Sequence, residues 1–196
     1  MKPLAIVFTL FLTVSSACTQ SQEEAAHWAQ QIAKSAGRLK NVAFQAPLDL
    51  YQSVLFKKDE TAALIMPAQG LNRDSIKNAD TKPVPLGVLW FLNAAPASPK
   101  HAPFANDRLQ TATIHSDGEH LLRGVLLAIR QGGENKELLV FGRGQQPLIK
   151  IPMTEMPLHQ RRHIDMLATG DGKHGHLILH LYGGFLVRIP VVTGDN

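Results

Sequence analysis

The chain has nine histidines and one cysteine in 196 residues, so imidazole is the first side chain to consider for chemistry. His174, His176, Ile178, His180 and Tyr182 alternate with Leu177, Leu179 and Leu181 over the second half of that run. In an extended chain this period puts the imidazoles on one face and the leucines on the other. Neutral imidazoles two residues apart on one strand face can share a zinc or copper ion. Just upstream, Met153, Met156, His159, His163 and Met166 recur every three or four residues. A helical turn opened by Pro157 would set His159 and His163 at i, i+4 as chelators, and thioethers add affinity for Cu(I). The candidate metal ligands are therefore His159, His163, His174, His176 and His180. The competing account makes Met153 and Met166 core residues and the histidine row a solvated strand face.

Patterns that announce catalysis are missing from the sequence. It holds no Gly-x-Ser-x-Gly, no P-loop and no His-Glu-x-x-His. Asp117, Glu119 and Asp165 are isolated acids, and Gly142-Arg143-Gly144-Gln145-Gln146 reads as a hairpin turn, since no helix follows it to receive a phosphate. The expectation is a protein that binds and does not catalyse.

The elements that must position these residues are mostly strands. One amphipathic helix is expected at 21–39. Ser21 and Glu24 form a capping box, Glu23 and Glu24 occupy the first turn, and Ala25, Trp28, Ala29, Ile32, Ala36 and Leu39 make one apolar stripe. From residue 43 to 192 strands dominate. A first strand at 48–57 carries Leu48, Leu50, Val54 and Phe56 on one face, and 61–66 returns beside it. A polar loop at 67–82 holds a helical turn after Asn72, and 84–93 is a buried strand that Pro85 opens. Residues 108–115 and 120–130 flank a hairpin turn at Ser116-Asp117-Gly118-Glu119. Between them, 94–107 has three prolines and five alanines and reads as a long surface loop, of the kind that carries binding residues. Lys100, His101 and Phe104 are its candidate partner-binding residues, one exposed aromatic with basic neighbours.

The C-terminal part repeats. A shift of 38 residues aligns Gly132 with Gly170, Leu139 with Leu177, and Ile149-Lys150-Ile151-Pro152 with Val187-Arg188-Ile189-Pro190. Each copy reads as a three-stranded antiparallel meander, at 121–152 and 163–192. Leu138 and Val140 take the places of His176 and Ile178, so the first copy is apolar on both faces and should be covered on both. Together these elements predict an all-β domain, an antiparallel sandwich or partly open barrel with one N-terminal helix and a C-terminal tandem three-stranded repeat.

The N-terminus speaks to location. Lys2 precedes an apolar run from Leu4 to Val14, too short to span a bilayer, and small residues follow, as in a signal peptide over 1–17. Ser15-Ser16-Ala17-Cys18 resembles the lipobox of bacterial lipoproteins, with Ser15 where the family usually has Leu. The resemblance implies diacylglyceryl modification of Cys18 and a mature domain over 18–196. Thr19 and Gln20 in place of Asp after the cysteine imply sorting to the outer membrane, periplasmic side. Ordinary cleavage after Ala17 is the alternative. A lipid anchor also accounts for the lone Cys18 in an exported chain. With Lys2 removed the formal charge falls from +4 to +3, which gives no case for nucleic acid as a partner. The expected partners are the membrane, through Cys18, and an envelope protein. A lipid or lipophilic-ligand carrier and a periplasmic copper or zinc protein are the other two readings.

Overall fold

The computed structural model describes residues 22–37, 39, 41–115, 118–156, 163–170 and 172–194. Signal segment 1–17, Cys18, Ser21, Asp117 and His159, with the turn expected after Pro157, lie outside the described residues.

The chain builds three layers. The middle layer is a seven-stranded antiparallel sheet of β1 (Val54–Lys58), β2 (Thr61–Pro67), β3 (Val84–Leu92), β5 (Gln110–His115), β6 (Glu119–Gly132), β7 (Asn135–Phe141) and β8 (Ile149–Pro152). Its order is β1-β2-β3-β6-β7-β8, with β5 paired to the first half of β6. A second sheet holds β10 (Ile164–Gly170), β11 (His174–Leu181), β12 (Phe185–Thr193) and β4 (Ala94–Pro96) in that order, with β9 (Thr154–Glu155) also on β12. Of the two expected architectures, this is the sandwich.

Alternation along the middle sheet explains the layering. On β3, Leu89 and Phe91 enter the core between the sheets, while Val88 and Trp90 enter a second core on the opposite face. Gly124 lies opposite Trp90, and a Cβ there would stand 2.5 Å from the indole ring, so the close approach requires glycine. Helix α1 (Gln22–Ala36) covers that second core with Ala25, Trp28, Ala29 and Ile32, all buried. Burying Trp28 and Ile32 contributes about 1.5–3 kcal/mol each. Lys57 Nζ pairs with Glu24 and lies 4.7 Å from the centre of the Trp28 ring. Side chains of α1 also satisfy the free edge of β5: Ser35 Oγ accepts from Thr113 N at 2.7 Å, and Gln31 Oε1 from His115 N at 3.0 Å.

Four expectations need correction. The helix stops at Ala36, short of 39, because Gly37 adopts φ +55. The strand expected at 48–57 is broken. Asp49 Oδ1 accepts from Tyr51 N at 3.1 Å and Gln52 N at 3.2 Å and caps a 3₁₀ turn at Leu50–Gln52. Leu48 and Leu50 therefore join the core under α1, and Val54 and Phe56 the core between the sheets. The loop expected at 94–107 begins with a buried strand, β4, which pairs with Val191 and Val192. Asn93, at φ +51, turns the chain from one sheet to the other there. Alanine and proline carry little strand propensity, so only the pairing reveals β4.

The fourth correction concerns the repeat. Both meanders form, β6-β7-β8 in the middle sheet and β10-β11-β12 in the outer one. Their residue-by-residue equivalence fails. Leu139 pairs with Ala128 and Lys150, whereas Leu177 pairs with Ala168 and Ile189. A 38-residue shift would place Met166 and Arg188 opposite Leu177. Leu139 faces α1 and Leu177 faces the core between the sheets. Ile189 is fully buried and Ile151 only half-buried. The first meander is apolar on both faces, so a one-residue slip leaves no mark on its pattern.

Candidate functional site

The sandwich has two chemically distinct ends, and β11 runs between them. Eight residues at about 3.3 Å each separate the ends by about 25 Å. At one end, Gln22 Nε2 donates to Tyr51 O at 2.5 Å and Ser53 O at 2.9 Å, fixing the start of α1 to the body. Here Gln22, Tyr51, Gln52, Val54, Pro67, His163, Ile164 and Tyr182 line a cavity of about 460 Å³. Tyr51 is 74 % exposed on its rim. Tyr182 Oη donates to Leu71 O at 2.8 Å, and burial, with Asp49 nearby, raises its phenol above the usual range. His163 stacks on Tyr182 with ring centres 5.3 Å apart.

At the other end the histidines gather. The chain leaves β4 at Ala97, whose N–H donates to Pro190 O at 2.8 Å. Pro190 lies opposite His176 in the β11–β12 ladder. A tight loop follows: His101 N donates to Ser98 O at 2.8 Å, Ser98 N to Ala102 O at 2.9 Å, and Ala102 N to Ser98 Oγ at 3.1 Å. His101 sits in this loop at φ +56, a conformation uncommon for non-glycine residues. Its ring lies 5.2 Å from that of His176, edge-on at 82°, and 5.5 Å from that of His174. His101 Nδ1 is buried and makes no hydrogen bond. Burial, then the charges of His101 and Arg188, lower the His176 pKa.

The expected metal set is therefore split. His163 stands at the Tyr182 end, a strand's length from His174, and cannot share an ion with it. His180 is on the same face as His176 but four residues along, about 13 Å, too far for one ion. Met153 and Met166 are buried in the core between the sheets, as the competing account had it. Among the described residues, no group of three or more His, Cys, Asp or Glu side chains is placed to hold a metal ion.

Of the expected partner-binding residues, Lys100 is exposed. Phe104 is not the exposed aromatic that was expected: it is half-buried against the core between the sheets, with Arg108 Cζ 5.8 Å from its ring centre. His101 stands beside His174 and His176. Seventy-five residues of sequence separate it from His176, and no local pattern joins them. The β4–β12 pairing does.

The space between the sheets is filled by one continuous apolar core, from Ile65, Leu89 and Val125 on one side to Leu179, Val187 and Ile189 on the other. No helix among the described residues is long and apolar enough to cross a membrane. No family model, no curated protein and no solved structure matches the chain.

Proposed function

We propose that the chain is an envelope lipoprotein, anchored through Cys18 at the periplasmic face of the outer membrane, that binds a protein partner and carries out no catalysis. The observation that best supports this reading is the fixing of α1. Gln22 is only four residues beyond Cys18, and its side chain is bonded to the body at Tyr51 and Ser53. Three intervening residues reach roughly 14 Å at most. A lipid on Cys18 then holds the Gln22–Tyr51–Tyr182 end against the bilayer, where the exposed Tyr51 suits the wet–apolar boundary. The loop around Lys100 stands at the opposite end, turned toward the periplasm, and is the surface assigned to the partner.

The carrier reading gains less support, because buried apolar side chains pack the space between the sheets. In that reading the lipid would sit in the cavity of about 460 Å³ beside Tyr51.

The test has two parts. Labelled palmitate should enter the wild type and not the Cys18→Ala variant, and that variant should leave the membrane fraction. A photo-crosslinker in place of Lys100 should capture one specific envelope protein in intact cells. If lipid alone is recovered, from a crosslinker at Tyr51, the carrier reading replaces the adaptor.

A further inference from the structure

Apart from the anchor and the partner, and not resting on either, we infer that His101 and His176 form a two-histidine site for a divalent transition-metal ion, zinc or cupric copper.

Three observations carry it. The first is distance. A metal–imidazole bond is about 2.0–2.1 Å long, so two rings bound at tetrahedral angles to one ion have centres about 5 Å apart. The His101 and His176 rings are 5.2 Å apart. That spacing suits a bent arrangement and is too short for the linear geometry Cu(I) takes with two nitrogens.

The second is preorganisation. His101 is held by the Ser98–Ala102 hydrogen bonds in a left-handed conformation. His176 is fixed on a paired strand between β10 and β12. The Cα positions of both residues are thus set by backbone, and only the side-chain rotamers remain to be ordered on binding.

The third is an unsatisfied atom. His101 Nδ1 is buried without a hydrogen bond, a state that costs about 1–3 kcal/mol unless a donor or an ion meets the ring. His174, 5.5 Å from His101 at the exposed start of β11, is not placed to make a third ligand, so water completes the coordination. Arg188 works against a cation, which places the expected affinity in the micromolar range.

The test uses the full mature chain in detergent, titrated with Zn(II) and Cu(II) while the imidazole nitrogens are followed by NMR for zinc and by electron paramagnetic resonance for copper. One equivalent of Zn(II) should shift the His101 and His176 resonances together, and the Cu(II) spectrum should show coupling to two imidazole nitrogens. His176→Gln should weaken binding at least tenfold. His101→Asn, which keeps a residue tolerant of positive φ, should do the same, and His120→Ala on the other sheet should change nothing. Because His176 lies on a regular strand, its variant decides the matter even if the loop variant loses its shape. Binding unaffected by His176→Gln, resonances that move without saturating, or no binding below 100 micromolar by the wild type (roughly −5.5 kcal/mol) would each overturn the site.

Discussion

The two C-terminal meanders follow the same three-stranded antiparallel path, yet they do different work. β6-β7-β8 lies in the middle layer. Leu138 and Val140 face the outer sheet, and Leu139 and Phe141 face α1, so β7 is buried on both sides. β10-β11-β12 lies in the outer layer. Leu177, Leu179 and Leu181 face the core, while His176, Ile178 and His180 look outward, the histidines half-exposed. Among the described residues no helix covers the outer face of β11 as α1 covers β7; Ile178 is buried there, and the His101 loop packs against His174 and His176 at its start. A strand's second face is free for chemistry only when no third layer needs it.

The strongest way to break this comparison is to exchange outer-face residues. Leu139→His puts an imidazole under α1 with no partner, and should destabilise by about 3–5 kcal/mol, the lost packing and the unpaired polar group together. Urea denaturation measures it. A loss under 1 kcal/mol would mean that α1 does not seal that face.

Next in size is the isoleucine pair. Ile189→Ala should cost about 2–5 kcal/mol, as for any fully buried branched side chain. Ile151→Ala, at a half-buried position, should cost about 1 kcal/mol. Equal costs would restore the residue-by-residue repeat that the register denies.

Tyr182→Phe should remove about 1 kcal/mol with the hydrogen bond to Leu71 O. It also carries a pH signature. The folded phenol pKa is raised, first by burial and then by Asp49, whereas the unfolded one ionises near about 10. Its share of stability is therefore whole below pH 10 and is lost as pH rises through the folded value. Thermal melts between pH 8 and 11 should show a shallower alkaline decline for the Phe variant than for the wild type.

Smallest is His176→Leu, the counterpart of the first exchange. At this half-exposed position it should shift stability by no more than about 0.5 kcal/mol. A gain or loss several times larger would show that the outer face of β11 is covered after all.

These contrasts mark how far the sequence could be read. Period-2 alternation marks β11, a continuous apolar run marks β3, a hairpin turn marks the start of β6, the Asn72 cap marks the short helix α2 (Arg73–Lys77), and the stripe from Ala25 to Ile32 marks α1. Each signal is local, set by neighbours two to four residues away. Asp49 is a cap residue by type, but the apolar residues around it suit a strand equally well.

What the sequence settles alone is the inventory: a strand-rich domain with one amphipathic helix, a histidine row opposite a leucine row, and an apolar run from Leu4 to Val14 behind Lys2. Only the tertiary structure decides which sheet each meander joins, which register Leu139 and Leu177 take, and that β4 brings His101 to His176. The reason is physical. Alternation fixes which residues share a face, but the choice of neighbour rests on packing between segments many residues apart, and a strand such as Ala94–Pro96 is made by its partner and not by its own propensity.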